Sequence, residues 1–334
     1  MQRLEQLQSW LHQLFPGQRL AITPASADAS FRRYFRASLP GRTLIVMDAP
    51  PQHENCRPFI QVAELFLAAG VNVPRVLEQD LEQGFLLLTD LGNTTYLSAL
   101  DEDSASRLYR DATAALIKIQ LASRPDVLPA YDAALLMREM SLFPEWYVGK
   151  HLGVTLTDAQ QATLHGVFEA LNRNILAQGK VYVHRDYHSR NLMVCDDGLG
   201  ANPGILDFQD AVYGAVTYDL VSLLRDAYIH WQEEQVLDWA VRYWEQAKKA
   251  SLPVAQDVSE FYRDFEWVGA QRHIKILGIF ARLYHRDGKE GYLKDLPLVM
   301  DYLRKACERY AELRPLLRLL DELEKRQPQV GYTF

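Results

Sequence analysis

The sequence predicts an α+β protein: a small strand-rich first part followed by a larger helical one. Three observations carry this expectation. Short apolar runs separated by turn residues fill the first ninety positions, helical periodicity takes over beyond Gly92, and a polar stretch flanked by two short apolar runs interrupts the helices across residues 181–207.

Taken in order, Leu4, Leu7, Leu11 and Leu14 recur at helical spacing, while Glu5, Gln6, Gln8 and Gln13 break any apolar run an export signal would need. Residues 22–30 are small and polar and read as a loop. The runs FRRYFRA and RTLIVMDA read as strands joined through Leu39, Pro40 and Gly41, a hairpin. Phe59, Val62, Leu65 and Phe66 predict a helix over residues 58–69, stopped by Gly70 with Pro74 beyond. RVLEQD and GFLLLTDLG supply two more strands with a turn near Gly84. This divides the chain into a lobe of residues 1–91 and a lobe of residues 92–334. In the second lobe, helices are expected over 97–122 and 131–152, and from a capping box at Thr157 and Gln160 to about Ala177. VYVH, NLMVC and GILDF read as loop and hairpin. From Ala215 to about Lys325 the pattern is helical again, with breaks at Pro253, Asp287-Gly288, Pro297 and Pro315.

At 334 residues and 48% hydrophobic content the chain can fill real cores. A formal charge of −7 argues against a nucleic-acid surface, which needs clustered positive potential. Cys56, Cys195 and Cys307 are odd in number and far apart, which suggests neither a disulfide framework nor a zinc site and fits a reducing cytoplasm. No run approaches the ~20 apolar residues that span a bilayer, so no membrane partner is expected, and the expectation is a monomer.

The chemistry concentrates in HRDYHSRN, residues 184–191, and in Asp207, sixteen residues after Asn191 at the end of an apolar run. Phosphoryl transfer asks little covalent help of a protein. It needs an acceptor hydroxyl aligned with the phosphate and metal ions to spread the transition-state charge. Asp186 can orient a hydroxyl or accept its proton. Asn191 and Asp207 offer the hard oxygens that magnesium shares with phosphate and water. His184 reads as a brace for the loop.

HRDYHSRN with LDFQD resembles the catalytic and metal-binding motifs of aminoglycoside phosphotransferases, choline kinases and related small-molecule kinases. The resemblance implies a bilobal, protein-kinase-like fold, ATP and Mg2+ as cofactors, Asp186 as the catalytic aspartate, and Asn191 and Asp207 as metal ligands. It also places Asp219 at a helix start beneath the catalytic loop, where an ordinary N-capping aspartate would look the same. ASADASFRRYFR should cover the phosphates with Ser30 and with Arg32 or Arg33. Strand alternation sends those two arginines to opposite faces, so at most one turns inward, and exposed edge-strand arginines are an equal reading. LIVMDAPP departs from the family pattern: Met47 and Asp48 stand where a phosphate-contacting lysine is usual, and Glu64 sits late for its glutamate partner. GFLLLTDLG resembles the adenine-binding strand and hinge, with Thr89 and Leu91 as contacts.

The wider run DASFRRYFR, MREMSLFPEWYV, LDFQDAVYGAVTYDLVSLLRDAY and QRHIKILGIFARL resembles a subgroup of bacterial amino-sugar kinases of cell-wall recycling. It implies an N-acetylated amino-sugar substrate, some with a lactyl carboxylate, phosphorylated at the anomeric hydroxyl. His188, Arg190, Arg272 and His273 are candidates to meet that carboxylate, although Arg272 and His273 read more simply as a solvated helix face. Glu145, Trp146 and Asp210 are candidates for sugar hydroxyls or a ring face. Two rivals stand beside this reading: a kinase for a cationic acceptor, which suits an acidic chain, and a nucleotide-binding pseudokinase, which suits the missing lysine.

Overall fold

The computed structural model describes residues 2–27, 31–195 and 199–325. In chain order the elements are α1 (Gln2–Leu14), β1 (Ala21–Ala27), β2 (Arg33–Leu39), β3 (Arg42–Asp48), α2 (Arg57–Ala68), β4 (Val76–Asp80), β5 (Phe85–Thr89), α3 (Tyr96–Ala99) and α4 (Ala105–Leu121). There follow α5 (Ala133–Met140), a π-helix (Phe143–His151), α6 (Asp158–Ala177), β6 (Lys180–Val183), β7 (Leu192–Met193), β8 (Gly204–Ile205) and β9 (Val212–Ala215). The last described helices are α7 (Tyr218–Leu224), α8 (Glu233–Lys249), α9 (Val258–Asp287), α10 (Leu296–Arg309) and α11 (Arg314–Glu324). It forms two compact units, Met1–Ala122 with Ser189–Ala211 and Ser123–His188 with Val212–Phe334. No helix among the described residues is long and apolar enough to cross a membrane.

The first unit is built on an antiparallel sheet of order β1-β2-β3-β5-β4. Period-two alternation puts Ala37, Leu39, Leu44, Val46, Phe85 and Leu87 on one face, where they pack with Leu7, Trp10 and Leu11 of α1. The continuous apolar run of β5 follows from burial on both faces, since Leu86 and Leu88 are buried as well. The β4–β5 turn requires Gly84: its φ is +71° and a Cβ there would lie 2.0 Å from the Ala49 carbonyl oxygen.

Residues 22–27 of the expected loop are instead strand, and residues 28–30 lie outside the described residues. In the edge strand β1, Ile22 packs on the core while Pro24 interrupts the alternation that would announce it. The expected helix 97–122 is broken, because Asp101 and Ser104 bond each other's backbone N–H groups and offer the chain a local alternative to the helical ladder. The compact units also depart from a cut after Leu91. Tyr96 and Asp111 both bond the Asn202 side chain, at 2.9 Å each, and Leu97 N–H donates to the Ser189 carbonyl at 3.0 Å. These bonds bind α3, α4 and the β7–β8 hairpin into the first unit.

The second unit is organised around α9, which starts at the capping Asp257 and ends at left-handed Gly288. Residues 265–278 of this helix are buried without interruption, enclosed by the π-helix, α10, α6 and α7. The capping box of α6 forms as expected, and Pro297 and Pro315 sit in the first turns of α10 and α11. The expected helix 131–152 is divided into α5 and the π-helix. The apolar runs 181–184 and 191–195 do not pair with each other: β6 pairs with β9, and β7 with β8.

Candidate active site

In the first unit, the β7–β8 hairpin brings Asn191 and Asp207 together. Leu206 N–H donates to the Asn191 carbonyl at 2.8 Å, and the Asn191 Nδ2 stands 3.5 Å from Asp207 Oδ2. The hairpin requires Gly204, where a Cβ would come within 2.9 Å of Leu91 and 2.8 Å of Cys195 Sγ. Phe208 then anchors the turn, its ring packed against Phe59 at 4.8 Å and Phe66 at 5.9 Å, so α2 fixes the residue next to Asp207. Asp207 itself has φ +62°, a left-handed conformation uncommon outside glycine and characteristic of sites that over-determine their backbone. Gln209 donates to its Oδ1 at 2.7 Å, and its carboxylate remains 36% exposed.

Arg32 and Arg33 diverge. Arg32 lies 3.9 Å from Asp207 Oδ1 and 3.8 Å from Glu54 Oε2, with its side chain 11% exposed. Arg33 is half-exposed and pairs across the hairpin with Asp48, which is wholly buried and also receives Arg3 at 2.6 Å. Asp48 is thus a structural carboxylate held by two arginines, and Met47 beside it is buried. Glu64 is exposed on α2. Glu54, not singled out in the sequence, occupies the place beside Arg32; no spacing pattern marks it. Thr89 uses its main-chain N–H on the Arg75 carbonyl at 3.1 Å and its hydroxyl on the Arg75 N–H at 2.9 Å. Leu91 is buried against Met193 and Cys195. Asp210 is exposed and Arg190 half-buried. Ser30 lies outside the described residues.

In the second unit, the loop that leaves β6 is held from below. The buried Asp219 accepts the N–H groups of His184, at 2.6 Å, and of Arg185, at 3.0 Å. Burial, only partly opposed by these two bonds, pushes its carboxyl up to about 7. His184 is buried, and its Nδ1 accepts the Asp186 N–H at 3.2 Å. Arg185 has φ +77°, and its guanidinium pairs with Glu139 of α5. His188 donates its N–H to the Asp186 carbonyl at 3.0 Å and sets its ring edge-on to Tyr228 at 5.5 Å.

Arg272 and His273 do not lie on a solvated face. Their side chains are 4% and 1% exposed, because α9 is surrounded by helices. Arg272 Nη1 donates to the Arg185 carbonyl at 2.6 Å, and Nη2 stands 3.5 Å from Asp186 Oδ1. His273 stacks on Tyr302 at 5.1 Å, and burial beside Arg225 pushes its imidazole down to about 3. Lys275, one turn on, is buried against Glu139 at 3.0 Å; the sequence gives no sign that this pair is internal. Burial alone would raise the Asp186 carboxyl, but Lys275, Arg272, His188 and Arg185 outweigh it and hold the group well below the usual carboxylate range. Glu145 is exposed on the π-helix, lining a groove of about 790 Å³ with Met137, Gln161 and His165; none of residues 184–188 or Arg272 lines that groove.

Among the described residues no three His, Cys, Asp or Glu side chains gather into a protein-only metal cage. The Asn191–Asp207 pair instead offers one carboxylate and one amide, the sparse hard-oxygen set suited to magnesium that keeps water and phosphate oxygens.

A helical unit carrying a braced His-x-Asp loop, and a sheet-bearing unit with a strand-terminal Asp beside an Asn, are the parts of a phosphotransferase. Residues 21–254 match the phosphotransferase enzyme family, and the chain belongs to that family. It is 48% identical, over the whole of both chains, to N-acetylmuramate/N-acetylglucosamine kinase of Neisseria meningitidis serogroup B. It is likewise 48% identical to the Pseudomonas putida kinase of that name, covering 96% of this chain and 97% of the other. The fold is shared with the GDP complex of aminoglycoside 2'-phosphotransferase-IIIa, with a TM-score of 0.61, 14% identity, and 90% of this chain and 98% of that one covered. Choline kinase LicA from Streptococcus pneumoniae gives a TM-score of 0.61 at 12% identity, over 91% of this chain and 100% of that one. The fold is therefore the protein-kinase-like one.

Proposed function

We propose that the protein is an ATP- and magnesium-dependent kinase that phosphorylates N-acetylmuramate and N-acetylglucosamine at the anomeric hydroxyl, giving sugar α-1-phosphates in peptidoglycan recycling. The end-to-end identity with kinases of these two sugars carries the choice of acceptor. Intact Asp186, Asn191 and Asp207 support catalysis over a pseudokinase role.

In this reading Asp186 orients the acceptor hydroxyl and takes its proton late. Cations hold Asp186 as a weak base, and an anomeric hydroxyl, more acidic than an ordinary alcohol, needs no stronger one. Asn191 and Asp207 hold magnesium, which when bound neutralises charge on the triphosphate. Arg32, beside Asp207, supplies the cation that the strand lacks at Met47. His184 and Asp219 fix the loop's backbone.

Phosphorus NMR of the product from ATP, magnesium and N-acetylmuramate tests the assignment. The expected product is a 1-phosphate coupled to the anomeric proton, absent with Asp186→Asn although that variant still binds nucleotide. Transfer to an aminoglycoside or choline in place of either sugar would overturn the acceptor, and full turnover by Asp186→Asn would overturn the role of that residue.

A further inference from the structure

We propose that Arg272 is a positioning residue for phosphoryl transfer, which from the buried face of α9 clamps the loop carrying Asp186 by its main chain and its carboxylate at once. The inference rests on the reading that Asp186 serves the acceptor hydroxyl.

Arg185, the residue before Asp186, adopts φ +77° with a long side chain, a conformation that persists only where the surroundings impose it. Its N–H is bound by Asp219, its guanidinium by Glu139, and its carbonyl by Arg272 Nη1 at 2.6 Å. The other terminal nitrogen of Arg272 stands 3.5 Å from Asp186 Oδ1. One planar guanidinium therefore spans two consecutive residues, an arrangement the point charge of a lysine does not reproduce. The guanidinium lies over the Tyr218 ring at 5.6 Å, and the residue is 4% exposed, so both terminal nitrogens are committed inside the protein. A ligand for the lactyl carboxylate of a substrate would instead present a free edge.

The charged and titratable groups facing Asp186 in this unit are Arg272 and Lys275 of α9, Arg185 and His188 of the loop, and Asp219 of α7. Tyr218 and Tyr131 face Arg272 itself. With three buried or half-buried cations around it, the Asp186 carboxyl sits low. Removing one cation raises it and frees the backbone together.

Arg272→Gln and Arg272→Lys, made in the full chain, are assayed with ATP, magnesium and each sugar in turn at about pH 7. Arg272→Gln is expected to lose kcat by ~100-fold, the scale of a small misplacement of the reacting groups. The loss should be equal on both sugars, with the KM for each sugar and the nucleotide affinity kept within about threefold. Arg272→Lys should restore only part of kcat. The proposal is overturned by a kcat within about threefold of wild type. It is also overturned by a loss confined to the KM for N-acetylmuramate, the one sugar with a carboxylate. Should Arg272→Gln fail to fold, Arg272→Lys decides: a loss of about tenfold on both sugars supports the clamp, and wild-type kcat removes it. A wild-type protein inactive on both sugars would sink the proposed function instead.

Discussion

Replacing Arg32 with alanine should weaken magnesium-nucleotide binding, whereas the same change at Arg33 should not. Arg32 Nη2 lies 3.9 Å from Asp207 and its Nε 3.8 Å from Glu54, in a side chain only 11% exposed. Unit charges at that separation, in an effective dielectric of about 20, interact by ~4 kcal/mol. After desolvation, a charge-assisted contact to a phosphate retains about 1.5–3 kcal/mol, which is roughly a 10- to 150-fold change in Kd. Arg33 is half-exposed and spent on Asp48, so its loss should leave Kd within about threefold. Calorimetric titration of each variant with a non-hydrolysable ATP analogue and magnesium measures both. Equal affinities for wild type and Arg32→Ala, or an equal loss in Arg33→Ala, would refute the assignment of Arg32 as the replacement for the strand lysine.

Asp207→Ala should lower magnesium affinity by more than ~100-fold, the loss that even an outer partner of a metal ligand can bring. Raising magnesium should partly restore turnover in a kinetic titration, and an unchanged magnesium dependence would contradict it. Glu139→Gln leaves Lys275 and Arg185 buried without their carboxylate, a loss of about 3–5 kcal/mol. For 334 residues this is roughly 4–7 °C in thermal midpoint, at ~2.1 cal/mol/K per residue. Burial tends to raise the Glu139 carboxyl, but Lys275, Arg185 and Tyr131 hold it below its ordinary 4.5. Its stabilisation is therefore complete above pH 4.5 and lost as pH falls through the lower folded value. The gap between wild type and variant should close only on acidification below that point; a gap independent of pH would show that the pair does not act through charge.

Much of this protein is written locally. The β2–β3 hairpin is declared by alternation on either side of Pro40-Gly41, the α6 start by Thr157 and Gln160, and the starts of α10 and α11 by prolines. Each depends on residues a few positions apart, which is why composition and spacing disclose them. The residue types at 186, 191 and 207 are as legible as candidates, since phosphoryl transfer needs a carboxylate and hard oxygen ligands. β1 was not, because an edge strand is defined by its neighbour. Nor was the pairing of β6 with β9, whose partners stand about thirty residues apart in the sequence.

By itself, then, the sequence determined an α+β chain of the phosphotransferase family and singled out Asp186, Asn191 and Asp207 as its candidate reactive side chains. The tertiary structure decided which way those side chains face: that Arg32 turns to Asp207 while Arg33 turns to Asp48, and that Arg272, His273 and Lys275 are internal. A charged residue on a helix reads the same in water or in a core. Only the helices packed around α9 remove the solvent, and with it the alternative of leaving Arg272 free.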